Sequence, residues 1–166
     1  RSIVVSDIDS EKRVALDPQR SEERLQMALD AGGAGPWEAW PDDNRFIASD
    51  RALMLHGLQS GITITNEQAL DAVHPDDRPV VMAAMGNTLN NGTPFQVELR
   101  SVHPDGSIHW LESRATLRKS GSKRGLVGLV LDISERKRAE EQLSLLLREV
   151  NHRSKNMLGV IQAVAR

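Results

Sequence analysis

The fold turns on residues 95–134, FQVELRSVHPDGSIHWLESRATLRKSGSKRGLVGLVLDIS. Phe95, Val97 and Leu99 alternate with Gln96, Glu98 and Arg100, the two-residue period of a strand buried on one face. His103-Pro104-Asp105-Gly106 supplies residues that reverse a chain. A second strand is predicted over Ile108 to Lys119, with Leu111, Ser113, Ala115 and Leu117 sharing a side. Ser120 to Gly125 is polar and reads as a loop. Leu126 to Ile133 is a continuous apolar run, which suits a central strand. Three strands in succession predict an antiparallel meander.

Toward the N-terminus the pattern becomes helical. His74-Pro75-Asp76-Asp77 reads as a helix start, because Pro75 suits the first helical position and the carboxylates suit the positive helix end. That helix would carry Val80, Val81, Ala84, Met85 and Leu89 and close at Asn90-Asn91-Gly92. Thr65 or Asn66 caps a short helix ending near Val73, and Ser49 to His56 forms another. Trp37–Trp40 and Arg45–Ala48 are short strands around a Pro-Asp-Asp-Asn turn. Ser21 caps a helix with Glu22 and Glu23 in its first turn, stopped by Gly32, Gly33 and Gly35. The expected class is α+β: an antiparallel sheet of about five strands with helices on one face, then a long C-terminal helix.

That last helix begins at Ser134, and no Pro or Gly interrupts it before Gly159. Ala139, Leu143, Leu146, Val150, Met157, Val160 and Val164 keep heptad spacing, broken at Arg136 and Arg153. The pattern predicts a coiled-coil-like linker feeding a dimeric bundle. At the other end, Val4-Val5-Ser6-Asp7-Ile8-Asp9 with Lys12-Arg13 echoes Leu129 to Ser134 with Lys137-Arg138. The echo predicts that residues 1–13 end a preceding copy of the same domain, after a strand over Ser2 to Ser6.

Composition narrows the chemistry. The 166 residues carry a net charge of only -2, so bulk electrostatics favours neither nucleic acid nor an anionic membrane. The run Arg136-Lys137-Arg138 reads as a solvated helix face. There is no cysteine, hence no thiolate metal site and no flavin–cysteinyl photochemistry. No apolar run reaches the roughly 20 residues of a bilayer span. His56, His74, His103 and His109 lack metal-ligand spacing, so no metal is expected. The chain starts at Arg1 and stops within a periodic apolar stretch. It reads as a cytoplasmic piece of a longer protein, with no membrane contact of its own.

Four local motifs now acquire a meaning together. Gly35-Pro36-Trp37-Glu38-Ala39-Trp40, His74-Pro75-Asp76-Asp77-Arg78, His103-Pro104-Asp105-Gly106-Ser107 and Leu131-Asp132-Ile133-Ser134-Glu135-Arg136 resemble, in this order, a PAS domain over residues 21–136. The resemblance implies a PAS fold in which Asp132, Ile133 and Ser134 relay a signal from sheet to output helix. Capping of that helix is the plain structural role of the same residues. The stretch Arg148-Glu149-Val150-Asn151-His152-Arg153-Ser154-Lys155-Asn156 is similar to the phosphoacceptor motif of histidine kinases, particularly the HWE-type subfamily. This likeness implies that His152 is phosphorylated, with Arg153, Lys155 and Asn156 as its flanking motif.

Helical geometry agrees with that role. At about 100° per residue, His152 lies roughly 200° from Val150, opposite the apolar seam. A phosphoacceptor must be exposed, and neutral to be nucleophilic. Arg148 and Lys155 would stabilise the incoming phosphoryl charge. The expected organisation is an N-terminal segment (1–20), a PAS sensor domain (21–134), a helical signalling linker (135–150) and the start of a dimerisation and phosphoacceptor helix (151–166). A homodimer and a response-regulator receiver domain are the implied partners, and ATP with Mg would belong to a domain beyond Arg166. The piece alone is expected to be inactive as a kinase. Trp37, Val97, Leu99, Leu111, Ser113 and Val130 could line a pocket for an unknown small ligand, although core packing around no ligand explains them as simply. Val130 is apolar where photosensory relatives carry glutamine, and residues 76–91 hold no histidine for a haem iron. The alternative is a PAS interaction module that dimerises without ligand or phosphotransfer.

Overall fold

The computed structural model describes the backbone of residues 18–164 and the side chains of residues 18–153. The proposed repeat at residues 1–13 and the strand over Ser2 to Ser6 lie outside the described residues. Two units divide the chain, residues 1–32 and 33–166.

In the first unit, α1 (Pro18–Ala31) starts three residues before the expected Ser21 cap. Pro18 explains the shift: its fixed φ suits a first helical turn, and the amide hydrogen it lacks would have no partner there. The helix ends as expected, with the Gly32 N–H donating to Ala28 O.

The second unit is built on a five-stranded antiparallel sheet in the order β2-β1-β5-β4-β3. Its strands are β1 (Gly35–Trp40), β2 (Arg45–Ala48), β3 (Phe95–Val102), β4 (Ile108–Ser120) and β5 (Lys123–Asp132). The continuous apolar strand therefore does sit at the centre. The expected loop over Ser120 to Gly125 is mostly strand. Ser120 pairs with Lys123 across a tight turn at Gly121, whose φ is +59°. Polar composition marked an exposed hairpin tip there, not an irregular segment.

Register decides what the inner face can hold. Trp37 lies opposite Gly128, Gly128 opposite Ala115, and Ala115 opposite Phe95. The two small residues leave room over the middle strands, and the Trp37 and Phe95 rings meet there edge-on at 5.8 Å. Phe46 stacks on Trp37 from β2 at 5.5 Å.

The helices α2 (Asp50–Leu55), α3 (Asn66–Asp71) and α4 (Arg78–Asn91) follow β2 and precede β3. Ser49 caps α2 by accepting from the Ala52 N–H, and Thr65 forms a capping box with Gln68 on α3. At Gly35 a Cβ would come within 2.6 Å of Ala52 backbone atoms, so α2 reaches β1 only because that residue is glycine. Pro75 to Asp77 form one 3₁₀ turn, and α4 proper begins at Arg78, later than the motif predicted. Asp77 is committed elsewhere. It accepts hydrogen bonds from the Arg100 backbone N–H at 2.8 Å, from Nε at 3.0 Å and from Nη2 at 2.6 Å, which ties the turn to β3.

The core lies between sheet and helices, with Leu53, Leu111, Leu126 and Val130 fully buried. From Ser134 the chain becomes α5 (Ser134–Val164), and every residue from Arg138 to Arg153 is exposed. Among the described residues no helix is long and apolar enough to cross a membrane.

Candidate functional site

Two places in the second unit carry groups that core packing does not explain: the junction of sheet and α5, and a cavity beneath the short helices.

At the junction β5 runs directly into α5. The Asp132 carboxylate accepts the Ser134 N–H at 2.7 Å and faces His109 Nδ1 at 3.9 Å. The Ile133 N–H donates to Trp110 O at 2.8 Å, and the Trp110 N–H donates to Ser134 Oγ at 3.0 Å. Asp132, Ile133 and Ser134 are thus bonded to β4 while they start the helix. One turn on, Glu98 of β3 receives both Arg136 (2.8 Å) and Lys137 (2.5 Å). Hydrogen bonds from Lys137 and Arg136 hold the Glu98 carboxyl below its ordinary range. Lys137 also lies 5.0 Å above the Trp110 ring. The basic run is therefore not only a solvated face: two of its three cations fasten α5 to the sheet. Sequence reading missed Glu98, because nothing in a period-two strand distinguishes one outward carboxylate from the next.

His152 stands 18 residues beyond Ser134, roughly 27 Å along the axis at 1.5 Å per residue. It is exposed and helical. Arg153 pairs with Glu149 one turn back. Lys155 and Asn156 belong to the helical backbone, and their side chains lie outside the described residues. Leu143, Leu146 and Val150 are 58%, 60% and 59% exposed, a bare apolar seam on a helix that has left its domain.

The cavity holds about 60 Å³. Trp37, Leu99 and Ser113 line it. Val97, Leu111 and Val130 are buried among the core residues and are not part of its lining. Its walls also contain His56, from the end of α2, and Asn66, from the start of α3, which sequence reading did not assign. Both carry a buried polar atom without a hydrogen-bond partner, His56 Nδ1 and Asn66 Oδ1. Burial, with the charge of His103 adding to it, pushes the His56 imidazole down to about 4. His103 itself bonds Leu55 O through Nε2 at 3.0 Å and stacks on His109 at 4.0 Å. Among the described residues no cluster of three or more His, Cys, Asp or Glu side chains could hold a metal ion.

An antiparallel sheet with a helix-covered face, a small cavity beneath the helices and a long helix leaving the central strand define a sensor-type α+β domain. The family model described as PAS fold matches residues 45–130. The chain belongs to the PAS fold family. The "Blue-light-activated histidine kinase" of Brucella anthropi is 28% identical over 152 residues, 92% of this chain and 31% of the relative. The protein of that name from Brucella ovis is 28% identical over 154 residues, 93% of this chain. The chain spans about a third of these relatives' length, 31% in both cases. Among solved structures, a sensory box histidine kinase/response regulator from Burkholderia thailandensis superposes with a TM-score of 0.66 at 27% identity, covering 78% of this chain and 98% of that one. The N-terminal domain of a Marinobacter aquaeolei diguanylate cyclase with PAS/PAC sensor shares the fold, with a TM-score of 0.56 at 22% identity, covering 63% and 98%. The chain is a PAS sensor domain related to histidine kinases.

Proposed function

We propose that this chain is the sensory and signal-relaying part of a two-component histidine kinase, and that His152 accepts the γ-phosphoryl group of ATP. The observation that carries the reading is the run Arg148 to Asn156 on an exposed helix that continues unbroken from the PAS sheet. The neutral imidazole of His152 attacks the γ-phosphorus, the bond to the bridging oxygen breaks, and ADP leaves. The phosphoryl group then passes to an aspartate of a response regulator. Arg153, Lys155 and Asn156 flank the acceptor, and Asp132, Ile133 and Ser134 relay a change in the sheet to the helix. The seam through Leu143, Leu146 and Val150 pairs two copies in parallel. The work takes place in the cytoplasm, where ATP and the regulator are found.

The relatives' name includes a blue-light response. A flavin fits these residues poorly. The cavity of about 60 Å³ is well below the roughly 300–1,000 Å³ of ligand pockets, and the sequence has no cysteine for a photoadduct.

The test mixes the chain with ATP and a histidine-kinase ATP-binding region supplied in trans. Acid-labile, base-stable phosphate is expected on the wild type and not on His152→Gln. A folded, dimeric chain that takes no label beside an active ATP-binding region would leave the alternative, a PAS module that dimerises without phosphotransfer.

A further inference from the structure

Two imidazoles meet where the sheet hands over to α5. His103 follows β3 and His109 is the second residue of β4, and their rings stack at 4.0 Å with 22° between the planes. His103 Nε2 lies 3.0 Å from Leu55 O at the end of α2. A carbonyl only accepts, so this nitrogen carries a hydrogen whatever the charge of the ring. His109 is approached at both nitrogens. Its Nε2 lies 3.1 Å from Ser107 Oγ, a hydroxyl that can donate to a neutral ring or accept from a charged one. Its Nδ1 lies 3.9 Å from Asp132 Oδ2. That distance is too long for a hydrogen bond, and a small side-chain rotation would make it one. The other oxygen of the same carboxylate accepts the N–H of Ser134, the first residue of α5, at 2.7 Å. A chain of contacts therefore runs from α2 through two titratable rings to the start of the helix that leaves the domain. Water reaches its last two members, since the side chains of His109 and Asp132 are 38% and 39% exposed.

Other charges act on the pair. Asp105 in the turn acts on both rings, His56 at the end of α2 acts on His103, and Arg138 of α5 acts on Asp132. Burial pushes the His56 imidazole down to about 4, so it stays neutral in the physiological range where imidazoles exchange protons. Asp105 and Asp132 are held below the ordinary carboxylate range, so both are charged throughout it. We propose that the stacked pair is a proton-responsive input to the relay: when the medium turns from neutral to mildly acid, His109 takes a proton from solvent, donates to Asp132 through Nδ1 and to Ser107 through Nε2, and tightens the start of α5 on the sheet. The proposal rests on the reading of Asp132, Ile133 and Ser134 as a relay. It deepens that reading by naming what drives the relay, uptake of a proton at the junction itself. A half-exposed ion pair changes a local equilibrium only a few fold, so the response is graded.

The experiment is an NMR titration of the isotope-labelled chain from about pH 8 to about pH 5.5, following the imidazole signals and the Ser134 amide. Amide exchange is measured at both ends of the range and corrected for its intrinsic pH dependence. The Ser134 amide should move with the same midpoint as the His109 ring. Protection of residues 134–137 should rise about threefold toward acid, the effect of a partly exposed ion pair. His109→Gln removes the titrating ring. Asp132→Asn keeps an oxygen for the Ser134 N–H and removes the charge, which keeps a test in hand if the first variant does not fold. In either variant the Ser134 amide should stay still over the same range. Three outcomes would overturn the proposal. These are a Ser134 amide that does not move while His109 titrates, a response that persists unchanged in a folded variant, and protection that falls toward acid. Phosphate on His152 is not read in this experiment, so either proposal can fail while the other stands.

Discussion

His56 shows what one buried group does to the whole stability curve. Its imidazole titrates at about 4 in the folded chain against an ordinary 6.5. Between those values the unfolded chain binds a proton that the folded chain refuses, so stability falls as pH drops through this window. Above 6.5 the effect is absent, and below 4 it is complete. The carboxylates act in a different range. Asp77, Glu98 and Asp132 are all held below their ordinary values, and their stabilisation is lost only as pH falls under the usual carboxylate range. Urea unfolding should therefore show the wild type about 2 kcal/mol less stable at pH 5 than at pH 7.5. His56→Phe should remove most of that difference. An equal drop in the variant would mean that His56 is open to water.

The elements divide into those visible in the sequence and those settled by contacts across it. β3 was legible because period-two alternation is the direct imprint of burial on one face, and β5 because a continuous apolar run marks a central strand, although its Leu129 is 37% exposed. The long run without Pro or Gly likewise foretold α5. His56 and Asn66 were not legible as a pair: they end one helix and start the next, and only the packing of α2 and α3 over the sheet brings them to one cavity. Asp77 read as a helix-start acid, whereas its strongest partner, Arg100, lies 23 residues away on β3. The fastening of α5 by Glu98 was hidden for the same reason. It gives a prediction at this scale. Glu98→Gln keeps the shape of the side chain and removes the charge that holds Arg136 and Lys137. Amide exchange over residues 134–140 should speed up, while the β4 and β5 amides keep their protection. Unchanged exchange in the first turns of α5 would assign the hold to Trp110 and Ser134 alone.

For the whole molecule, the exposed seam of α5 is an unsatisfied demand. Most helical stability in proteins comes from burying an apolar face. Leu146→Lys places a charge in the proposed seam without touching the PAS core. Light scattering should show a dimer for the wild type at high micromolar concentration and a monomer for the variant. Thermal unfolding of the sheet should be nearly the same for both, since Leu146 is 60% exposed. A variant that stays dimeric would move the interface elsewhere.

The grip of the sheet on α5 has a consequence for how such a pair is arranged in space. Ser134 and Lys137 touch the sheet on one side of the helix. At about 100° per residue, Leu143, Leu146 and Val150 lie roughly half a turn round from them. Two helices joined along that seam would carry their sheets outboard, on opposite flanks of a central stalk. Eighteen residues make about five full turns, so His152 returns to the flank that bears the sheet. A regulator or ATP-bearing domain that reaches it must come in from the side, above the shoulder of the sensor and clear of the stalk's midline.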